Sequence, residues 1–155
     1  MGGNYVMEYP KIDMEKLPKV MDLIDEAASL MERQGIKENK ELECIEKQLQ
    51  LLTGKSDLRV IEFHHYWAAK SLETVAKEAL FEKPQKRVLQ SEEIREMVIH
   101  ILEQEEAVMD WQLHFLEVCT KLDVTDYIFY PDDMGLSREA TLEEIAQKMI
   151  LDMQQ

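Results

Sequence analysis

Few residues in this chain could do chemistry. There are four histidines, His64, His65, His100 and His114, and two cysteines, Cys44 and Cys119. Glu62 and His65 stand at Glu-x-x-His spacing, one half of a helical di-iron motif. Such a centre needs two of these motifs and two further glutamates on partner helices, and the sequence holds one. A helix through this stretch turns the adjacent rings of His64 and His65 about 100° apart, so they do not share a ligand site. No metal site and no cofactor are predicted. His100 lies four residues after Glu96, a spacing that predicts a surface pair. Neither cysteine has a base or an electropositive setting beside it, so both are expected as core thiols rather than nucleophiles. The chain has 32 carboxylates, too many for any two to be singled out as an acid and base without a convergent spacing. Phosphate loop, nucleophile elbow and dinucleotide fingerprint are all missing from the sequence. No catalytic residue is assigned, and the chain is not expected to be an enzyme.

The elements that position these residues are helical by periodicity. Over 17–31 the apolar residues Leu17, Val20, Met21, Leu23, Ile24, Ala27, Ala28 and Met31 form one stripe, with Asp13 as a cap, Pro18 near the start and Gly35 as the stop. A second helix starts at about Asn39, carries Leu42, Ile45, Leu49 and Leu52, and ends at Thr53-Gly54. A third segment, 57–69, holds Leu58, Ile61, Phe63, Tyr66 and Trp67 and reads as a helix, and a fourth starts at Ser71. The polar run Glu82-Lys83-Pro84-Gln85-Lys86-Arg87 predicts a linker over 84–90. Ser91 opens the next helix, and another spans about 106–120. A short aromatic segment then stops at Pro131, and a last helix starts at Thr141, with Glu144 at capping-box spacing. Most of the ten methionines fall on core positions of these helices.

This order is helix, helix, short segment, helix, written twice. Ser71–Leu80 echoes Thr141–Ile150, and Leu42, Leu49, Leu52 and Thr53 pair with Met109, Leu116, Cys119 and Thr120 at one offset. The expectation is a tandem pair: a leader over 1–12, an N-terminal helical unit over 13–83, a linker over 84–90 and a C-terminal unit over 91–155. Each unit is marginal for a core of its own, so the two are expected to pack together. Scarce Gly (5) and Pro (4) argue against a turn-rich β fold. With no basic region ahead of an apolar run, the N-terminus does not read as a signal peptide, and no stretch of 18 apolar residues occurs. Two cysteines make no disulfide framework, which points to a reducing compartment.

Charge narrows the choice of partner. The net charge is −14, shared as −4 over residues 1–83 and −10 over 84–155. Such a chain repels nucleic acid and anionic membrane and attracts basic proteins. The segment Asp126-Tyr127-Ile128-Phe129-Tyr130-Pro131, followed by Asp132 and Asp133, puts three aromatic residues on one short turn. With Asp126 as cap and Pro131 as stop, one turn cannot point three rings into a core. At least one ring is expected to face outward, giving rigid aromatic anchors amid steering charge.

Residues 91–153 resemble the immunity proteins of nuclease colicins and pyocins. The third helix of that family is a single turn carrying Ser-Asp-Leu-Ile-Tyr-Tyr-Pro. The corresponding string here is Thr125-Asp126-Tyr127-Ile128-Phe129-Tyr130-Pro131. Upstream, Glu117-Val118-Cys119-Thr120 takes the place of the family's acid-rich helix end, and downstream Thr141-Leu142-Glu143-Glu144-Ile145 matches the start of its last helix. The resemblance covers about 40% of the chain. It implies a four-helix fold that binds and inhibits a basic nuclease domain without doing chemistry. It also implies an anchor at Asp126, Phe129, Tyr130 and Pro131, and a specificity face at Met109, Asp110, Leu113 and Glu117. There are departures. Phe129 lacks the hydroxyl of the family's first tyrosine, a hydrogen bond worth about 1 kcal/mol. The connection Lys121-Leu122-Asp123-Val124 lacks the family's His-Pro and Gly and is one residue shorter, and the N-terminal unit, 13–83, has no Tyr-Pro.

The sequence reading is therefore an all-α protein of two tandem four-helix immunity-like units. Its expected function is a cytoplasmic immunity protein that binds and inhibits a cognate, basic protein toxin, in particular a nuclease. The alternative is a non-toxin interaction or regulatory module on the same fold.

Overall fold

In the computed structural model, which describes residues 7–37 and 39–154, all regular structure is helical. The chain forms two compact units. One is Lys11–Glu82, and the other runs from Lys83 onward and includes the described residues up to Pro10.

The N-terminal unit holds α1 (Leu17–Gln34), α2 (Lys40–Thr53), two 3-10 turns (Val60–Phe63 and Tyr66–Ala68) and α3 (Leu72–Leu80). Local chemistry sets the ends of these helices. Asp13 accepts from the Glu15 N–H at 3.1 Å and caps a 3-10 turn leading into α1. Gly35 ends α1 at φ +81° and Gly54 ends α2 at φ +72°, where a side chain would be strained. Asn39 and Ser71 cap α2 and α3 through the Leu42 and Thr74 N–H groups at 2.8 and 3.1 Å. The apolar stripe of α1 packs mainly on α3, and Val20, Ile24, Ala27, Leu49 and Ala76 are excluded from water.

The C-terminal unit holds α4 (Ser91–His100), which tightens into a 3-10 turn at Ile101–Glu103, then α5 (Glu106–Thr120), α6 (Val124–Phe129), a 3-10 turn at Pro131–Met134 and α7 (Leu142–Met153). Both ends of the principal pair, α4 and α7, start in reciprocal caps. The Gln90 N–H donates to Glu93 at 3.1 Å, and at α7 Thr141 and Glu144 exchange bonds at 3.1 and 3.2 Å. Ile94, Met97, Ile101, Phe115, Leu116, Ile145 and Met149 fill this core.

The two units thus repeat the predicted order, and in each the first helix packs chiefly on the last. Several local expectations need correction. Segment 57–69 is not a helix. His65 sits at φ +58° between the two 3-10 turns, because Phe63 must enter the core while the Tyr66 hydroxyl reaches Asp25 of α1 at 2.9 Å. The first six residues of the expected leader lie outside the described residues, whereas Met7 packs against the C-terminal core and the Glu8 carbonyl accepts from Gln112 Nε2 at 2.8 Å. The expected linker is held as well. Leu89 is buried, and Arg87 bonds Glu8 and Glu93 at 3.1 and 2.8 Å with its guanidinium over the Phe115 ring. Cys44 is exposed on α2, because its neighbours Leu42 and Ile45 take the buried side of the helix.

Candidate partner-binding site

The aromatic segment becomes α6, and its geometry sorts the rings. The Asp123 carbonyl accepts from the Asp126 and Tyr127 N–H groups at 2.9 and 3.2 Å, so the cap is Asp123, three residues before the expected one at Asp126. Val124, Tyr127 and Ile128 lie at spacings of three and four and turn into the core. Phe129 and Tyr130 face outward, with 44% and 56% of their surface exposed. At Tyr130 the backbone leaves the helix, and Pro131, buried and lacking an N–H, opens the next 3-10 turn. Gly135, at φ +85°, lets the chain double back so that the Leu136 N–H reaches the Pro131 carbonyl at 3.0 Å.

That reversal returns the chain after Gly135 toward the two rings, where Asp132 and Asp133 already stand. A shallow cleft is lined by Phe129, Tyr130, Pro131, Asp132, Asp133 and Arg138. Arg138 Nε stands 3.4 Å from Asp132 Oδ2 at an exposed position. Asp123 and Asp126 are exposed on α6 and the turn before it. Beneath the exposed rings the turn is pinned: the Tyr127 hydroxyl donates to Asp152 of α7 at 2.5 Å, and Lys148 reaches the same carboxylate at 3.2 Å. Burial first, and then the Asp152 bond, push the Tyr127 phenol up to about 12. The same hydrogen bond holds the Asp152 carboxyl below its ordinary value. The turn that carries the two exposed rings is thus tied to α7 through Tyr127.

The expected specificity face on α5 divides. Met109, Asp110 and Glu117 are half-buried. Leu113 belongs to the core at 7% exposure, because the register that buries Leu116 also turns Leu113 inward, and it is not a surface contact. Glu117 ties α5 to α6 by accepting from the Thr125 hydroxyl at 3.2 Å. Pro131, expected in the anchor, is buried too and is not a surface contact; it sets the backbone beneath Tyr130. Sequence spacing gave no sign of Arg138 at the cleft, since a loop of that composition has no period to read.

A second cluster lies in the N-terminal unit. The ligand atoms of Glu32, His64 and His65 lie within 4.8 Å of one another. No helix runs through His64 and His65, so the two rings are not held about 100° apart, and the left-handed backbone at His65 lets them share one region. Glu32 is too distant in sequence for spacing to reveal it. His100 forms the predicted surface pair, with Glu96 at 3.6 Å and also with Glu103 at 2.7 Å.

No family model matches the chain, and neither a curated protein nor a solved structure matches it. Fold and surface define an all-α protein of two helical units, one of which carries an exposed aromatic pair among acids. Among the described residues no helix is long and apolar enough to cross a membrane.

Proposed function

We propose that this chain is an immunity-type inhibitor, which binds a basic protein toxin, in particular a nuclease, in the cytoplasm and blocks it without turnover. The observation that carries the reading is the outward pair Phe129 and Tyr130 on a pinned one-turn helix, flanked by Asp126, Asp132 and Asp133. The −10 charge of residues 84–155 steers a basic partner into encounter, and the two rings then dock in apolar pockets. Met109, Asp110 and Glu117 on α5 tune the choice of partner. The missing hydroxyl at Phe129 and the short turn after α5 favour a second reading, in which the same anchor takes a partner that is not a toxin.

A pull-down from lysate of the source organism, with wild-type and Tyr130→Ala baits side by side, separates these readings. The immunity reading expects one basic protein with a toxin-like domain on the wild-type bait alone. A non-toxin partner lost on the variant supports the second reading and overturns the first. The same partners on both baits overturn the anchor itself. Raising salt should slow association far more than dissociation, because only encounter depends on long-range charge.

A further inference from the structure

We propose that Glu32, His64 and His65 form a binding site for a divalent transition-metal ion, zinc, nickel or copper, with water in the remaining coordination positions. Two imidazoles and one carboxylate are the donors such borderline ions prefer, whereas calcium and magnesium take oxygen ligands. Three protein ligands with an open position make the site of the exchangeable rather than the closed structural kind.

Three features of the backbone and rings converge on this point. His65 adopts φ +58°, a conformation uncommon for a residue other than glycine, which reverses the chain between the two 3-10 turns. That reversal stacks the His64 and His65 rings with centroids 4.0 Å apart and planes 30° apart, so both imidazoles face one region. Glu32, in the last turn of α1, closes the group: its Oε2 is 2.7 Å from His65 Nε2. An ion pair between Glu32 and His65 accounts for that single contact, but not for the His64 ring stacked on it.

The segment is also held in place. Phe63, just before the histidines, is buried, and Tyr66, just after, bonds Asp25 on α1. Asp25 and Glu32 are seven residues apart, two helical turns, so the clamp and the carboxylate ligand share one face of α1. Metal–ligand bonds of about 2.0–2.1 Å require donor atoms about 3.3 Å apart. The three donors already lie within 4.8 Å. Side-chain rotation closes the difference, since the side chains of His65 and Glu32 are 53% and 55% exposed and free to turn. A bound ion would fasten the end of α1 to the segment between α2 and α3.

The test is titration of the full chain, without an affinity tag, with zinc, nickel, copper and magnesium ions by calorimetry. The Trp67 ring, 5.3 Å from that of His65, gives a second readout, quenching by copper or nickel, in a Trp111→Phe background. One equivalent of zinc, nickel or copper should bind, and zinc should raise the thermal midpoint. Glu32→Gln and His64→Gln should each weaken binding at least about tenfold, the scale on which even outer partners of a metal act. His65→Asn should do the same while keeping a residue that tolerates the left-handed backbone. His100→Gln, at the other histidine–carboxylate cluster, should change nothing. Circular dichroism of each variant shows that it is folded. The site is overturned by no saturable binding of the three ions, by magnesium binding as tight as zinc, or by binding that survives the double variant His64→Gln/His65→Asn.

Discussion

Tyr127 and Tyr130 lie three residues apart at α6, one buried and one exposed, and the proposed function gives them opposite tasks. Truncating each to alanine should therefore separate stability from binding. Tyr127 is 4% exposed and Tyr130 is 56% exposed. Removing a buried aromatic side chain costs about 3–5 kcal/mol, from lost transfer energy and the cavity left behind. That is a large share of the roughly 5–15 kcal/mol that holds a domain together. Tyr130→Ala removes a ring that is mostly in water already and should cost about 0.5 kcal/mol or less. Binding should show the reverse order, because an aromatic anchor contributes about 2 kcal/mol or more at an interface, roughly thirtyfold in Kd. Urea unfolding followed by circular dichroism gives the first quantity, and partner titration at a temperature where all variants are folded gives the second. Phe129→Ala should follow Tyr130→Ala. If Tyr130→Ala destabilised the fold as much as Tyr127→Ala, the outer ring would be a core element and the docking argument would fail.

Further expectations come from the electrostatics and from α5. The Tyr127 phenol is raised from its ordinary 10 to about 12, so the folded chain keeps a proton that the unfolded chain releases. Its contribution is complete below about pH 10 and is lost as pH rises through about 12, so the difference in thermal midpoint between wild type and Tyr127→Phe should shrink across that window. A difference that stays constant through the window would refute the assignment. Arg87→Ala should cost about 1 kcal/mol, since its pairs are partly exposed and screened, and Arg87→Lys should restore only part of it. The hydrogen bond from Arg87 holds the Glu93 carboxyl low, so the pair's contribution is present above the ordinary carboxylate value of 4.5 and fades as pH falls below it. Thermal melts of these variants across acid pH check both statements. Leu113→Ala should lose about 2–5 kcal/mol of stability, and any loss of binding should track the loss of folding by circular dichroism.

The sequence by itself determined the helices and most of their ends. Amphipathic spacing acts within a few residues, as do Asn39, Ser71 and Thr141 as caps and Gly35 and Gly54 as stops, so these signals are written locally. That at least one ring of the aromatic segment faces outward was legible for a related reason: one turn cannot bury three rings in different directions. Only tertiary structure decided which rings stay outside, because that choice depends on Asp152 of α7 receiving the Tyr127 hydroxyl. Tertiary structure also drew Leu113 into the core, and joined Glu8 to Arg87 across 79 positions. It likewise reversed the chain at His65, because burying Phe63 and clamping Tyr66 on α1 together outweigh the preference of one residue for an ordinary backbone. Contacts between distant segments have no period and no fixed spacing, so they leave no mark that a single sequence can show.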